Sequence, residues 1–145
     1  MKSYLLGLCI VCACLMGYAQ DNPLPKMDQR LFTTDYKQND TSAHAIILHE
    51  YGRTELDIVD GNRGLMVVTN VYVRKKILDK DGFEAANIEI PLYKYGNDME
   101  YVRDIKGKTM NFENGQVVTD ELNKNAIFTD KVSPYSETLK FTLPN

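Results

Sequence analysis

The sequence lacks cysteine beyond its first fourteen residues. Its three cysteines are Cys9, Cys12 and Cys14. If the chain is cleaved after Ala19, no thiol remains in the processed protein. That would exclude a disulfide framework, a cysteine-ligated zinc site and a cysteine nucleophile, and a disulfide-free exported domain is typical of a bacterial envelope.

Histidine and serine are also scarce. The only histidines, His44 and His49, are five residues apart, so they fall on opposite faces of a strand and well apart around a helix. We therefore expect a structural or surface role for both. The processed chain has three serines, none of them in a nucleophile-elbow context. With no phosphate-binding glycine loop and no HExxH motif, we expect no catalytic residue, no metal site and no cofactor.

Acidic residues offer two further candidates for a site. Asp79, Asp81 and Gly82 resemble part of a calcium loop, but the first ligand position would be Ile77, whose side chain has no oxygen. A tight turn requires the same residue types, so a turn is expected. Glycoside chemistry would need two carboxyl groups about 5 to 10 Å apart, and the sequence does not rank the four candidates for such a pair. They are Glu50, Glu55, Asp57 and Asp60.

The one long apolar run extends from Tyr4 to Met16 and follows the basic residue Lys2. It is shorter than the roughly 20 residues that a membrane helix needs. Small residues follow at Gly17 and Ala19, which is typical of a cleaved secretory signal peptide. We therefore predict that residues 1–19 are removed and that the protein is exported.

Two destinations remain open for the exported protein. Cleavage before Gln20 would release it to the periplasm or to an outer-membrane-associated location. Cys14, at the end of a loose lipobox match, is the alternative as a lipid-anchored N-terminus.

The processed chain is mildly acidic. Without Lys2 it keeps 16 basic and 20 acidic residues, a net charge of −4, and this balance argues against a nucleic-acid partner. The densest basic run, Arg74-Lys75-Lys76, is expected to be a solvated strand end. Its 126 residues suffice for one domain with its own core.

Polar residues and prolines fill positions 20–42, which predicts an irregular arm with one short turn around Arg30 to Thr34. An all-β domain, a β-sandwich of antiparallel strands, is predicted over residues 43–145 because short extended segments alternate with turn signals.

The first two predicted strands are the longest. One begins at Ala43, and Gly52 is the expected site of a bulge in it. Its apolar face is predicted from Ile46, Leu48, Leu56 and Ile58. The next strand, Leu65 to Leu78, is predicted to bury its odd-numbered apolar side chains. These are Leu65, Val67, Val71, Val73 and Ile77.

A third strand is predicted around Ile88 to Leu92, with Pro91 at an edge or a strand end. Asn114-Gly115 between extended segments predicts a hairpin, and residues 120–131 are left as a helical turn or a loop. Leu139, Phe141 and Leu143 alternate with polar residues and predict a last strand. We expect this strand to be an edge and therefore a site of self-association.

Four stretches together resemble the domain of unknown function 3857 of Bacteroidetes: HEYGRTELDI, RGLMVVTNVYVRKKILDKDGFEAANIEIPLY, IKGKTMNFENGQVV and DKVSPYSETLKFTLPN. The resemblance covers about Ser42 to Asn145. It implies a β-sandwich module that precedes a transglutaminase-like domain in envelope proteins. No catalytic residue of that domain has a counterpart in this sequence, so the resemblance implies a non-catalytic accessory module or a truncated remnant of one.

The alternative is a stand-alone module that binds envelope glycans or peptides through tyrosines and an exposed sheet edge. The tyrosines concerned are Tyr51, Tyr72, Tyr93, Tyr95, Tyr101 and Tyr135.

Overall fold

A computed structural model describes residues 24–38, 40–58 and 64–144 of the protein. The leader predicted at residues 1–19 lies outside them, as do its three cysteines. In chain order the elements are α1 (Arg30–Thr33), the 3-10 helix η1 (Tyr36–Gln38), β1 (Ala45–Ile58), β2 (Leu65–Ile77), the 3-10 helix η2 (Lys80–Ala86), β3 (Asn87–Tyr95), β4 (Asp98–Met99), β5 (Lys108–Glu113), β6 (Gln116–Glu121), the 3-10 helix η3 (Lys124–Ala126), β7 (Phe128–Ser133) and β8 (Ser136–Thr142). Strands dominate and all pair antiparallel, which confirms the all-β class. Among the described residues, no helix is long and apolar enough to cross a bilayer.

Strands β1 and β2 form a long two-stranded hairpin. The ladder is regular from Ile58 opposite Leu65 down to His49 opposite Arg74, and its register then shifts between His49 and Ile47. The expected bulge at Gly52 is therefore wrong, since Gly52 pairs regularly with Val71. This shift reverses the alternation of the lower part of β1 relative to its upper part.

The four-stranded sheet has the order β4-β3-β8-β7. Strand β4 pairs only with Lys94 and Tyr95 at the end of β3, so Pro91 lies on an open edge, as predicted. The last strand, β8, pairs with β3 on one side and with β7 on the other. The prediction that this strand is an edge is therefore wrong.

The core is small and lies against one face of this sheet. Within the described residues, the buried hydrophobic side chains are Leu92, Leu139 and Phe141. Partly buried residues surround them: Ile88, Ile90, Val102, Ile105, Leu122, Ile127 and Leu143. Several of these come from irregular segments that follow β4 and β6, so loops rather than a second full sheet cover this face.

Strands β5 and β6 form the predicted hairpin. Asn114 and Gly115 form its turn with positive φ values of 51° and 81°. Two successive positive φ values are the geometry that favours Asn-Gly at a two-residue hairpin turn.

Two connections differ from their predictions. The expected turn at Asp79 to Gly82 is the start of η2, with the Asp79 side chain capping the Asp81 amide. The open segment 120–131 contains both η3 and the first four residues of β7, a strand that the sequence patterns did not predict.

The N-terminal arm is ordered where it meets two hairpins. Helix α1 falls at the predicted turn. Its Phe32 ring stacks on Phe112 of β5, with centroids 5.8 Å apart. Across the arm, Arg74 of β2 donates a hydrogen bond to the carbonyl oxygen of Pro25 at 2.8 Å. The arm thus joins the β1–β2 hairpin to the β5–β6 hairpin.

Candidate functional site

One face of the β1–β2 hairpin carries a set of exposed aliphatic side chains, the apolar hairpin face. Its members are Leu56, Ile58, Leu65, Val67 and Val71, between 61% and 70% exposed. Residues opposite each other in an antiparallel pair project to the same side. The pairs Leu56 with Val67 and Ile58 with Leu65 therefore place four of the five together near the tip.

A pair of polar residues lies within the apolar hairpin face, between the Leu56–Val67 pair and Val71. Thr54 and Thr69 lie opposite each other, and their hydroxyl oxygens are 3.0 Å apart. Among the described residues of the hairpin, the charged ones on this side are Glu50 and Lys75, towards its base.

This exposure reverses the predicted burial of β2. The predicted buried side includes four odd-numbered residues that are exposed: Leu65, Val67, Val71 and Val73. The half-buried side is instead the even-numbered one, with Met66, Val68, Tyr72, Arg74 and Lys76. Alternation alone identifies two faces. In β2 the arm covers the even-numbered face, where it binds Arg74 and Lys76.

Lys76 is the main contact between the arm and the hairpin. Its Nζ donates hydrogen bonds to the carbonyl oxygens of Leu31, Phe32 and Thr34, at 2.8, 3.1 and 3.0 Å. The same ammonium lies 4.7 Å from the centre of the Tyr36 ring. Burial lowers the pKa of Lys76 below its ordinary value.

The predicted solvated basic run is therefore divided between the two faces of β2. Arg74 and Lys76 are half-buried and bind the arm, whereas Lys75 is exposed on the opposite face. The prediction of a solvated run did not include the arm, whose carbonyl oxygens accept hydrogen bonds from Arg74 and Lys76.

A polar cluster lies at the base of the hairpin, where His44 precedes β1 and Asp79 follows β2. The Nδ1 atom of His44 lies 2.9 Å from Oδ1 and 3.0 Å from Oδ2 of Asp79. Asp79 Oδ1 also accepts a hydrogen bond from the Asp81 amide at 3.0 Å, and the Lys37 ammonium donates to Oδ2. The hydrogen bond from Lys37 and then that from His44 lower the pKa of Asp79 to about 2.

His44, Asp79 and Asp81 could hold a metal ion, since their ligand atoms lie within 4.8 Å of one another. Lys37 already supplies a cation there, and the Asp79 oxygens are used in capping and pairing. The arrangement therefore fits a structural role, in which ion pairs and hydrogen bonds to Asp79 hold the arm and η2 against the start of β1. Sequence reasoning considered His44 and the Asp79 turn separately, although Ala45 pairs with Ile77 and brings them together.

The other nominated residues are dispersed. His49 lies opposite Arg74 on the arm-bearing side of the hairpin, and its Nε2 has no hydrogen-bond partner among the described residues. Glu50 lies on the opposite side from Glu55 and Asp57, and Asp60 falls outside the described residues. Ser133 and Ser136 pair with each other, with hydroxyl oxygens 2.7 Å apart.

Four of the six nominated tyrosines lie at one end of the four-stranded sheet. They are Tyr93, Tyr95, Tyr101 and Tyr135, between 48% and 90% exposed. Backbone hydrogen bonds of 2.9 Å from Lys94 to Tyr135 and from Glu100 to Tyr93 hold their segments together. Tyr51 and Tyr72 instead form a pair within the hairpin, with ring centres 6.2 Å apart.

Comparison with known proteins finds no matching family model, no matching curated protein and no matching solved structure.

Proposed function

We propose that this chain is a non-catalytic interaction module of an exported bacterial protein, and that the apolar hairpin face is its binding surface. The observation that carries the proposal is the exposure of five aliphatic side chains on one face of the hairpin. Contiguous apolar surface of this kind marks interaction sites in soluble proteins.

The resemblance to the domain of unknown function 3857 supplies the wider context of the proposal. On that basis the module serves a transglutaminase-like protein of the bacterial envelope, and the chemistry resides in a catalytic domain of that protein. Export to the periplasm follows from the apolar leader and its small residues. The intact mass of the protein recovered from the periplasm tests this step, because cleavage before Gln20 and acylation at Cys14 give different masses.

The polar cluster supports a structural rather than a catalytic role for its histidine. A histidine that activates a serine nucleophile needs that hydroxyl within hydrogen-bond reach. Within the described residues, no serine hydroxyl is hydrogen-bonded to His44 or His49. Turnover of peptide or glycoside substrates that disappears in His44→Ala or Asp79→Ala would contradict the proposal.

Photo-crosslinking in the producing cell tests the binding surface. A benzoylphenylalanine at Val67 should give a discrete adduct, because this side chain is central on the apolar hairpin face. The same probe at Asn70, which is exposed on the other side of β2, is the matched control. An adduct from Val67 that contains a transglutaminase-like protein supports the proposal, and equal adducts from both sites contradict it.

The exposed tyrosines favour a second candidate, a glycan- or peptide-binding module. Tyrosine faces at the end of a sheet can stack on sugars or on extended peptides. The chain has no tryptophan, so tyrosine fluorescence reports directly on such binding. A saturable change that is lost in Tyr95→Ala would support this candidate, and no change across envelope glycans and peptides would remove it.

A further inference from the structure

We propose that a hollow on the exposed face of the four-stranded sheet, the sheet hollow, binds one neutral sugar ring. This site goes beyond the proposed function, because it is separate from the apolar hairpin face. Its volume is about 210 Å³, and five of the residues that line it have side chains on the exposed face: Asn87, Glu89, Phe128, Lys140 and Thr142. This face lies opposite the core, since its residues alternate along β8 with the buried Leu139 and Phe141.

The register of the sheet explains why the sheet hollow exists. Strands β3, β8 and β7 place Glu89, Lys140 and Phe128 side by side in one row. The neighbouring row holds Asn87 of β3 and Thr142 of β8. In the described part of the chain β7 begins at Phe128 and none of its residues pairs with Thr142. A row of two side chains beside a row of three therefore leaves a depression next to the Phe128 ring.

Phe128 provides the apolar side of the sheet hollow. Its side chain is 55% exposed, although it is one of the larger hydrophobic residues of the chain. An exposed aromatic ring can pack against the apolar C–H groups of a sugar ring while the sugar hydroxyls point elsewhere. Such packing removes apolar surface from water and is therefore favourable.

The polar groups around the sheet hollow include both donors and acceptors. The Thr142 hydroxyl donates to Asn87 Oδ1 at 2.7 Å, and its oxygen can still accept a hydrogen bond. Asn87 Nδ2 donates to Glu84 Oε2 at 3.0 Å, which uses one of its two hydrogens. Glu89 adds a carboxylate whose side chain is 64% exposed. This mixture suits sugar hydroxyls, because each hydroxyl both donates and accepts.

The charges around Lys140 favour a neutral ligand. Its Nζ lies 3.1 Å from Asp130 Oδ2 and 3.5 Å from Glu89 Oε1. The hydrogen bond to Asp130 and the charge of Glu89 raise the pKa of Lys140 above its ordinary value. One ammonium and two carboxylates give this cluster a net charge of −1 at neutral pH. A carboxylate on the sugar would be repelled by this charge, and a cation would be repelled by the ammonium at its centre.

The size and position of the sheet hollow limit the ligand to one ring. Its volume of about 210 Å³ is below the roughly 300 to 1,000 Å³ of pockets for drug-sized ligands. A ligand of one ring in an open site makes few contacts, so we expect a Kd on the order of 1 to 10 mM. The exposed residues Tyr93 and Tyr135 lie at the opposite end of β3 and β8, so binding at the two places can be told apart.

Nuclear magnetic resonance titration of the purified, isotope-labelled protein tests the site. Glucose, galactose and mannose are each added to about 100 mM, well above the expected Kd. We expect at least one of them to cause saturable shifts centred on the backbone amides of Glu89, Phe128 and Lys140. The uronic acid of the same sugar, which differs by one carboxylate, should bind about tenfold more weakly. The absence of saturable shifts with all three sugars, or shifts centred on Tyr95, would overturn the proposal.

Two variants test the parts assigned to the ring and to the charge. Phe128→Ala should weaken binding at least about tenfold, whereas Val132→Ala should bind like the wild type. Val132 is the matched control, because it lies on the same strand, is 65% exposed and is not part of the sheet hollow. Glu89→Gln should narrow the difference between the sugar and its uronic acid, since the net charge of the cluster becomes zero. Unchanged binding in Phe128→Ala, or an unchanged difference in Glu89→Gln, would contradict the proposed site.

Discussion

His44 and Asp79 are 35 residues apart in the chain, yet the histidine Nδ1 lies 2.9 Å from Asp79 Oδ1. The contact exists because β1 and β2 pair until Ala45 meets Ile77. Lys37 joins from the arm, so one carboxylate connects three segments. This contact closes the base of a hairpin whose other end leaves its aliphatic residues exposed.

Replacing Asp79 with asparagine should make stability less dependent on pH. The hydrogen bonds from Lys37 and His44 lower the folded-state pKa of Asp79 from an ordinary value of 3.8 to about 2. A lowered folded-state pKa means that the carboxylate stabilises the fold above pH 3.8 and loses this effect as the pH falls towards 2.

Urea denaturation at pH 7, 4 and 2 measures this effect. Asp79→Asn should have a lower urea midpoint than the wild type at pH 7 and by nearly as much at pH 4, and the difference should shrink between pH 4 and pH 2. Asp98→Asn, in the short strand β4, is the control and should behave like the wild type. A difference between wild type and Asp79→Asn that persists unchanged at pH 2 would show that charge is not the cause.

Substitution by alanine should reduce stability much more at Gly82 than at Gly52. At Gly82 a Cβ would lie 2.1 Å from the carbonyl oxygen of His44, so η2 or β1 must shift. We expect the free energy of unfolding of Gly82→Ala to fall by about 1 to 3 kcal/mol, as for overpacking in a core. At Gly52 the position is open, and alanine should cost less than about 0.5 kcal/mol.

Chemical denaturation of both glycine variants provides the comparison. Similar losses of stability in Gly82→Ala and Gly52→Ala would mean that the base of the hairpin is less tightly packed than these contacts indicate.

Local patterns predicted the elements well because turn chemistry and alternation are local properties. Asn114 and Gly115 adopt the positive φ values that such a turn demands. Strand β2 spans Leu65–Ile77, against the predicted Leu65 to Leu78. Strand β7 was not predicted, because its partner β8 rather than its own sequence decides its pairing.

Burial could not be predicted in the same way, because it depends on which segments meet. The odd-numbered side of β2 is the more aliphatic, yet the arm binds the even-numbered side through Lys76. Likewise, the position of β8 between two strands follows from the sheet order, which adjacent sequence does not encode. The polar cluster of His44 and Asp79 could not be predicted for the same reason, because it depends on the pairing of β1 with β2.

Lys76→Met should release the arm from the hairpin. The Lys76 ammonium satisfies three carbonyl oxygens at the end of α1, and methionine keeps the length of the side chain without the donors. We expect the free energy of unfolding of Lys76→Met to be about 1 to 2 kcal/mol lower than that of the wild type, since carbonyl groups left without a partner cost about this much.

Limited trypsin digestion measures arm release directly, because Arg30 lies in α1. Cleavage after Arg30 should be faster in Lys76→Met than in the wild type, and Lys124→Met should serve as an unaffected control. Equal cleavage rates in the wild type and Lys76→Met would show that Phe32 and Phe112 hold the arm without the lysine.

Aspartate substitutions at Phe141 and Val71 should separate the true core from the exposed face. Phe141 is 8% exposed and belongs to the core of the four-stranded sheet, whereas Val71 is 61% exposed. An unpaired charge in the core costs several kcal/mol, which is comparable with the whole stability of a small domain. Phe141→Asp should therefore unfold the protein. Val71→Asp should cost no more than about 1 kcal/mol, the range of strand propensity.

Circular dichroism and urea denaturation measure the stability of both variants. Thr142→Asp is the control on the exposed side of β8 and should be as mild as Val71→Asp. Severe unfolding by Val71→Asp would mean that another part of the same chain covers the apolar hairpin face. In that case no other protein could bind this face, because its aliphatic residues would already be buried within the same chain.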